Sequence, residues 1–267
     1  MIDQFNLDGQ VIVVTGGLGK LGRIFATALA DAGASIAIFD IAEHNPDSQK
    51  GLDENQFSYH RVDITQRSAI ENGLSEVLSQ LGTPTGLLNA AALDSPPNAP
   101  AEENGPFESY PEESWDQIMA VNAKGVFLCC QVIGGAMARA EGGTIVNVAS
   151  IYGALSPDQS LYAYRRKRGE PFFKPVAYTA SKSALYNLTR YLATYWASNN
   201  VRVNTITFAG VFDDQDPEFL EKYIPKVPLG RMANPDDYTG PIIFLLSDAS
   251  RYMTGANLVV DGGFSAW

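Results

Sequence analysis

Tyr178 and Lys182 are the two residues of this chain whose types and spacing best suit acid–base chemistry. They stand four apart near the start of a predicted helix, Val176 to Trp196. This spacing brings both side chains to one helical face, with Cβ atoms about 5 to 6 Å apart. A positive ammonium there favours a phenolate, so we expect Lys182 to lower the pKa of Tyr178 from about 10. The pair alone also fits an ordinary surface helix, so other features of the chain must decide.

A glycine-rich turn follows the first predicted strand, the apolar run Val11 to Val14. Gly17, Gly19 and Gly22 fit the spacing G-x-G-x-x-G, and a helical pattern begins directly after them. Such glycines let the backbone approach a pyrophosphate, which the free N–H groups of the helix N-terminus bind. The turn predicts a dinucleotide site, whose residues here are Gly16, Gly17, Leu18, Gly19, Lys20, Leu21 and Gly22.

Asp40 closes the second predicted strand, Ser35 to Phe39, 18 residues beyond Gly22. An acid at this place accepts hydrogen bonds from the adenosine ribose hydroxyls and repels the 2′-phosphate of NADP. Lys20 argues the other way, because an ammonium in the turn could favour that phosphate. Since Asp40 abuts the ribose whereas Lys20 could equally face solvent, we predict that the cofactor is NAD.

Strands and helices alternate along the rest of the chain. The predicted strands are Phe57 to Val62, Gly86 to Ala92, Gly143 to Ala149, Val201 to Thr207 and Asn257 to Val260, and the main helices are Gln66 to Leu81, Glu113 to Ala140 and Val176 to Trp196. This alternation predicts an α/β, Rossmann-like fold, a doubly wound, mainly parallel seven-stranded sheet with helices on both faces. We expect residues 1–267 to form a single NAD(P)-binding domain. The last helix should bury the stripe Ala180, Ala184, Leu188, Leu192 and Tyr195.

The composition excludes several functional classes. A formal net charge of −11 disfavours binding to nucleic acid and to anionic membrane surfaces. Cys129 and Cys130 are adjacent in a predicted helix and read as buried small side chains, and with only His44 and His60 beside them a metal site has no support. No apolar run nears the roughly 20 residues that span a bilayer, and no secretion signal is visible. We therefore expect a cytoplasmic protein with a small-molecule substrate.

The chain resembles the short-chain dehydrogenase/reductase family, in its single-domain branch, over nearly its whole length. The resemblance rests on the order of its motifs: the glycine turn, Asp40, Asp63, Asn89, Asn122, Ser150 and Tyr178-x-x-x-Lys182. It implies a catalytic tetrad. Tyr178 would be the general acid or base, Lys182 would lower its pKa and hold the nicotinamide ribose, Ser150 would orient the substrate oxygen, and Asn122 would fix a water leading to Lys182.

The resemblance also implies a set of cofactor contacts and an assembly. Besides the glycine turn and Asp40, the implied cofactor residues are Ile41, Asp63, Ile64, Asn89, Ala90, Ala91, Tyr178, Lys182 and Val211. The implied assembly is a homotetramer, or a homodimer, built partly through the long helices around Asn122 and Tyr178 and through the C-terminal strand. The apolar end Phe264 to Trp267 would suit burial at such an interface.

Three motifs depart from the usual family pattern. Thr15 to Gly22 follows T-G-x-x-G-x-x-G, typical of the branch that modifies nucleotide sugars, rather than T-G-x-x-x-G-x-G. Asn89 is followed by three alanines where relatives carry Asn-Ala-Gly. Phe208-Ala209 replaces the usual Pro-Gly after the sixth strand, which weakens the assignment of Val211.

The largest departure is the distance from Ser150 to Tyr178, 28 residues, about twice the family's usual spacing. It predicts a substrate-loop insertion at about 153–175, whose basic residues are Arg165, Arg166, Lys167, Arg168 and Lys174. A solvated surface loop is one interpretation. The other is an anion clamp at the mouth of the site, with Arg165, Arg166 and Arg168 as substrate contacts beside Ser150 and Tyr178.

Three functions remain open at this point. The first is an NAD-dependent oxidoreductase acting on a secondary alcohol or ketone of an anionic sugar, phosphorylated or nucleotide-linked, in bacterial surface-glycan biosynthesis. The segments Val176 to Leu188 and Arg202 to Pro217 favour it, because they resemble flagellin-modification protein A dehydrogenases. The second is a 3-oxoacyl-(carrier protein) reductase, in which the basic insertion would dock an acidic carrier. The third is a non-catalytic NAD-binding protein.

Overall fold

Seven parallel strands form the centre of the protein. The computed structural model describes residues 3–43, 56–95 and 104–267. The strands are β1 Val11–Thr15, β2 Ser35–Asp40, β3 Phe57–Arg61, β4 Gly86–Asn89, β5 Gly143–Ser150, β6 Val201–Phe208 and β7 Asn257–Val260. Their spatial order is β3-β2-β1-β4-β5-β6-β7, and every neighbouring pair is parallel. The predicted doubly wound, Rossmann-like sheet is therefore confirmed.

Helices cover both faces of the sheet. They are α1 Lys20–Asp31, α2 Arg67–Gln80, α3 Glu112–Met119, α4 Val126–Cys129, α5 Gly135–Arg139, α6 Ile151–Ala154, α7 Ala163–Lys167, α8 Val176–Tyr195, α9 Pro217–Tyr223 and α10 Thr239–Leu246. Ile12 and Val13 of β1 show how the faces are filled, since successive strand residues point to opposite sides. Val13 joins the core against α2, α4, α5 and α8, and Ile12 joins the core against α1 and α10.

The strand order reverses direction between β1 and β4. The chain adds β2 and β3 on one side of β1. It then returns to add β4, and after it β5, β6 and β7, on the other side of β1. In such sheets the crevice for a ligand opens at the carboxyl ends of the strands, at this switch point. The glycine turn, which follows β1, and the alanines that follow β4 therefore meet at one crevice.

One long helical run carries α3, α4 and α5, joined by two π-helical segments, Ala120–Gly125 and Cys130–Gly134. Its most apolar 18-residue window would suit a membrane span by length and composition, but 56% of that window is buried in the protein. The run therefore has the burial of a core helix. Cys129 and Cys130 are both buried and free, and burial raises the pKa of both thiols.

Helix α8 faces the sheet with a different stripe from the one predicted. Its buried residues include Ser181, Lys182, Leu185 and Thr189, whereas Ala184 and Tyr195 are exposed. The predicted apolar stripe was wrong because the buried face of this helix mixes polar side chains with apolar ones such as Ala177, Leu185 and Ala193. Of the predicted set, only Leu192 is buried.

A chain of buried amides and hydroxyls links the central strands to α8. Asn89 donates to Asn147 Oδ1 at 2.8 Å, Asn147 donates to Thr189 Oγ1 at 2.9 Å, and Thr205 donates to Thr189 at 2.7 Å. Asn89 is 2% exposed. Its amide N–H group is thus used inside the sheet, and its role as a cofactor contact stays a prediction.

The predicted insertion does not stay a separate loop. It folds into a short 3-10 helix, Gln159–Tyr162, and α7. The 3-10 helix packs on α9, from the segment after β6, and α7 packs on the 3-10 helix. The shared apolar cluster contains Leu161, Tyr162, Phe219, Tyr223, Val227 and Met232. We call this unit, residues 155–175 with 212–232, the cap. The segment of residues 94–112 that follows β4 lies partly outside the described residues, as does His44.

Candidate active site

A cleft of about 510 Å³ opens between the carboxyl edge of the sheet and the cap. Ser150, Tyr178 and Lys182 line it together, although they come from the end of β5 and from α8. Its other walls come from the alanines after β4, from the segment around Val211 and from the cap. Three of the four sequence-predicted catalytic residues are thus gathered at one surface, and Asn122 lies outside it.

Lys182 is held deep in this cleft by the sheet. Its ammonium donates to the carbonyl of Val148 at 2.7 Å, and the residue is 4% exposed. Burial disfavours the charged form and lowers the pKa of Lys182 to about 8, with a smaller opposing effect from Asp94. Lys182 is thus a buried cation close to its titration point at physiological pH.

The pKa of Tyr178 is raised in this structure, whereas the sequence predicted that it would be lowered. Burial, followed by the negative charge of Asp94, raises the pKa of its phenol, while a hydrogen bond with Ser150 lowers it. The ammonium of Lys182 lies 5.9 Å from the centre of the Tyr178 ring and is already bonded to Val148. In this structure desolvation is the largest influence on the pKa of Tyr178, and it favours the neutral phenol.

Ser150 links the strand end to the phenol. It is the N-cap of α6, and its hydroxyl accepts from the N–H of Tyr152 at 3.2 Å. The same hydroxyl interacts with that of Tyr178. Two hydroxyl groups that share a proton-transfer path can together hold the oxygen of an alcohol or a ketone.

Asn122 is a positioning residue in the structure. It lies in the first π-helical segment and is fully buried. Its side-chain oxygen accepts from Leu93 N at 2.7 Å, and its amide donates to Leu93 O at 2.8 Å and to Ser181 Oγ at 3.0 Å. It therefore fixes the chain after β4 to the first turns of α8. Its implied water link to Lys182 stays a prediction.

The glycine turn has the shape that a dinucleotide needs. Gly16 has a φ of +68°, and a Cβ there would meet the Cα of Ala91 at 2.8 Å. A Cβ on Gly22 would lie 2.0 Å from the carbonyl oxygen of Gly16. The backbones after β1 and β4 can approach this closely only without side chains, which leaves a bare cradle at the N-terminus of α1. The residues present therefore fit a pyrophosphate.

Asp40 lies at the ribose end of this cradle. Its carboxylate accepts from the N–H of Leu18 at 2.9 Å and from the N–H of Ala42 at 3.0 Å. Those two hydrogen bonds fix the negative charge of the Asp40 carboxylate beside the glycine turn. Lys20 is instead ion-paired with Asp213 of the segment after β6, so the turn's own cation is neutralised away from Asp40.

The remaining predicted cofactor residues lie around the same crevice. Ala90 and Val211 line the cleft, and the N–H groups of Ala90 and Ala91 donate to Thr15 Oγ1 at 3.1 and 3.2 Å. Ile41 is 64% exposed at the rim. Asp63 is exposed and accepts from Thr65, while Ile64 is buried. None of these placements conflicts with a bound dinucleotide.

Most of the basic side chains of the insertion form hydrogen bonds or ion pairs with other groups of the protein. Arg166 donates to the carbonyls of Phe172 and Gln159 at 2.8 Å each, and Arg168 pairs with Asp216 at 2.6 Å and Glu218 at 2.7 Å. Neither lines the cleft.

The predicted anion clamp is therefore corrected: Arg166 and Arg168 hold the cap together. Arg165 does line the cleft, with its guanidinium on Glu170 at 2.6 Å and over the ring of Phe172.

Three charged residues of the cleft, Asp94, Lys174 and Asp216, were absent from the predicted site. Asp94 and Lys174 both line it and form an ion pair with each other. Their positions carried a signal, since Asp94 follows the carboxyl end of β4 by five residues and Lys174 precedes Tyr178 by four. Only the folded chain shows that the two segments face each other across Tyr178.

Comparison with known proteins places these residues in a wider context. A family profile described as Enoyl-(Acyl carrier protein) reductase matches residues 19–265. The NAD-dependent glycerol dehydrogenase of Listeria innocua is 32% identical over 98% of this chain and 96% of its own length. The D-threitol dehydrogenase of Mycolicibacterium smegmatis is 33% identical over 98% and 95%, and the 2-dehydro-3-deoxy-D-gluconate 5-dehydrogenase of Pseudoalteromonas atlantica is 32% identical over 99% of each.

Solved structures agree with this fold and its crevice. A short chain dehydrogenase from Leptospira borgpetersenii with bound NAD+ superposes with a TM-score of 0.84 at 31% identity, covering 97% of this chain and 94% of that one. A gluconate 5-dehydrogenase from Burkholderia cenocepacia, in complex with NADP and tartrate, gives 0.84 at 25% identity and covers 99% and 98%. The two neighbours thus carry different nicotinamide cofactors.

The state of Tyr178 can be measured directly. Because burial raises its pKa, we expect no tyrosinate from Tyr178 below about pH 10 in the protein without NAD. The measurement is the ultraviolet difference titration of wild type against Tyr178→Phe, with circular dichroism as the control for an intact fold. Tyrosinate at neutral pH would show instead that the Lys182 ammonium dominates over desolvation.

Proposed function

Because the chain belongs to the short-chain dehydrogenase/reductase family and is an NAD(P)-dependent oxidoreductase of CH–OH groups, we propose that it oxidises a secondary hydroxyl of a polyhydroxylated substrate with NAD. The observation that carries the proposal is the joint placement of Ser150, Tyr178 and Lys182 in a cleft whose walls also carry charged side chains. Relatives named for glycerol, threitol and galactitol support the polyhydroxylated class.

The residues of the cleft divide the reaction between them. Ser150 and Tyr178 hold the substrate oxygen. Tyr178 as the phenolate takes the substrate proton during oxidation, and as the phenol it returns a proton during reduction. Lys182, a cation of lowered pKa at the same surface, favours the phenolate that forms. A nicotinamide bound in this crevice would supply the hydride chemistry, and the positive charge of its oxidised ring would also favour the phenolate.

NAD is the proposed cofactor, and Asp40 is the reason. A carboxylate fixed on the N–H groups of Leu18 and Ala42 opposes a 2′-phosphate by like charge. The glycerol dehydrogenase relative is named NAD-dependent, and one structural neighbour holds NAD+. The gluconate dehydrogenase neighbour holds NADP, so a direct comparison of the two cofactors is needed.

We expect wild type to prefer NAD over NADP by on the order of 100-fold in kcat/KM, since the partly buried carboxylate of Asp40 repels a 2′-phosphate by like charge. Asp40→Asn, which removes the charge and keeps an acceptor oxygen, should lower this ratio to below about 10. The matched control is Asp31→Asn, the same change at the exposed end of α1. A wild-type preference for NADP would contradict the assignment.

A narrower version of the proposal is that the substrate is an anionic sugar of bacterial surface-glycan biosynthesis. Its support is now limited to Arg165 and Lys174, the two cations of the insertion that line the cleft. Both already have carboxylate partners, Glu170 and Asp94. The relative named for 2-dehydro-3-deoxy-D-gluconate, a sugar acid, favours keeping this version in the test.

Two alternatives keep specific support. The matching profile bears the description of an acyl-carrier-protein reductase, which favours testing the 3-oxoacyl reaction. Asp40 speaks against it, because such enzymes usually use NADPH. A non-catalytic NAD-binding protein would need the catalytic groups to be unused although they lie together in one open cleft. A cytoplasmic location, expected from the sequence, stays a prediction.

A substrate panel decides among these functions. It holds polyols (glycerol, threitol, galactitol), sugar acids, sugar phosphates and 3-oxoacyl thioesters, each assayed with NAD or NADH. We expect turnover on polyols or their ketoses, and a loss of about 10² to 10⁴ in kcat for Tyr178→Phe, the usual worth of a general base. NAD affinity should change little, and Tyr252→Phe at an exposed site is the control.

The other outcomes of this panel are equally informative. Turnover confined to thioesters would establish the carrier-protein alternative. NAD binding without turnover on any compound would favour the non-catalytic protein, and full activity of Tyr178→Phe would refute the role of the phenol.

We also propose that the chain forms a homotetramer. A groove on the outer face of the long helices is lined by Phe127, Tyr191, Tyr195 and Trp196, and the first three are exposed. Trp267 at the C-terminus is 80% exposed. Apolar patches of this kind mark protein interfaces.

Light scattering of the purified protein tests the assembly. We expect a tetramer for wild type and for the control Tyr252→Glu, and smaller species for Tyr195→Glu, because a charge in the groove opposes its burial. A monomeric wild type would contradict the proposal.

A further inference from the structure

Asp94 and Lys174 form an ion pair inside the active-site cleft, beside the proposed catalytic phenol. Asp94 belongs to the segment after β4, and Lys174 is near the end of the insertion. The ammonium of Lys174 lies 4.8 Å from the centre of the Tyr178 ring and 5.8 Å from that of Tyr152. A substrate whose oxygen meets Tyr178 and Ser150 must therefore lie next to this pair.

Lys174 has hydrogen-bonding capacity left over. Its side chain is only 14% exposed, and among the described residues its ammonium donates to Asp94 alone. An ammonium carries three donors, and a mostly buried one gains little from solvent. The backbone of Lys174 is fixed as well, because its N–H donates to Gln159 Oε1 at 2.9 Å and its carbonyl accepts from Gln159 Nε2 at 3.3 Å. The spare donors are thus held in place beside the reacting groups.

Asp94 supplies the complementary acceptor. Among the described residues only its Oδ1 has a protein donor, and its side chain is 53% exposed toward the cleft mouth. Its charge reaches the centre of the site, since it raises the pKa of Tyr178 and, to a smaller extent, opposes the lowering at Lys182.

The hydroxyl of Tyr152 adds a third polar group. It is buried beside that of Tyr162, yet makes no well-formed hydrogen bond to a described residue.

The chemistry of the pair selects a particular ligand group. A hydroxyl both donates and accepts, so one hydroxyl can meet Asp94 and Lys174 without separating their charges. An anion would meet the carboxylate of Asp94 at the same place and be repelled. A simple alcohol would leave the pair's spare donors and acceptor unused in the cleft.

We propose that Asp94 and Lys174 bind the hydroxyl on the carbon next to the reacting carbon, so that this pair selects vicinal diols over monohydroxy alcohols. The inference rests on the proposed function and adds to it the group that determines specificity. A site built to bond a substrate hydroxyl can reject an analogue that lacks it by up to about 10⁴ to 10⁵. Because the carboxylate of Asp94 is half-exposed, solvent screening reduces this discrimination. We expect kcat/KM for a vicinal diol to exceed that for a monohydroxy alcohol by about 100-fold or more.

The test uses the full chain with NAD and two matched alcohols, 2,3-butanediol and 2-butanol, beside glycerol and threitol. Wild type should show a kcat/KM for the diol or the polyols at least about 100-fold above that for 2-butanol. Asp94→Asn and Lys174→Met should each lower kcat/KM for the vicinal substrates by about 10 to 100-fold, mainly through KM. Lys174→Arg, which keeps the donor and the charge, should recover part of the loss.

The control is Lys167→Met, the same change at an exposed lysine of the same insertion, which should leave the ratio unchanged. Equal turnover of 2-butanol and the vicinal substrates by wild type overturns the inference while the proposed function stands. So does a loss in Lys174→Met that appears in kcat for every alcohol alike, since that pattern reports a structural role. Absence of NAD-dependent turnover on every alcohol overturns the proposed function itself.

Discussion

A buried ammonium, that of Lys182, donates to the carbonyl of Val148 and so fastens α8 to the carboxyl end of β5. Removing a charge from water is costly unless it is bonded, and here the bond goes to a strand of the central sheet. The same helix face repeats this fastening along its length. Tyr186 donates to Ser150 O at 3.0 Å, and Thr189 lies between Asn147 and Thr205. The helix is therefore placed by directional bonds, which tolerate less sliding than apolar packing.

That fixed helix sets the geometry of the cleft. Tyr178 lies one turn before Lys182, and Ser150 is the last residue of the strand to which the helix is tied. Asn122 fixes the opposite edge by bonding both Leu93 and Ser181. Because these bonds are buried or partly buried, they hold the side chains of the cleft in place before any ligand arrives.

The charged residues of the insertion mainly stabilise the structure of the protein and are not mainly used to bind a ligand. Arg168 crosses to Asp216 and Glu218, and Lys226 reaches back to Asp158 at 2.9 Å. With an aromatic cluster beneath them, these pairs join the insertion to α9 as one cap. The cap in turn brings Lys174 to Asp94 across Tyr178. The basic stretch, for which an anion site was one interpretation, therefore mainly stabilises the cap over the cleft.

The sequence by itself determined the fold class, and it predicted the glycine turn and the Tyr178–Lys182 pair, because strand and helix periodicity, glycine spacing and the Tyr178–Lys182 interval are local properties. It could not give the buried face of α8, since Ser181, Lys182 and Thr189 look like surface residues until their partners on β5 and β6 are known. Nor could it give the partners of Arg165, Arg166 and Arg168, the use of Asn89 within the sheet, or the raised pKa of Tyr178. Only the tertiary structure decided these, because desolvation and ion pairing depend on residues that are distant in sequence, as Asp94 and Lys174 are.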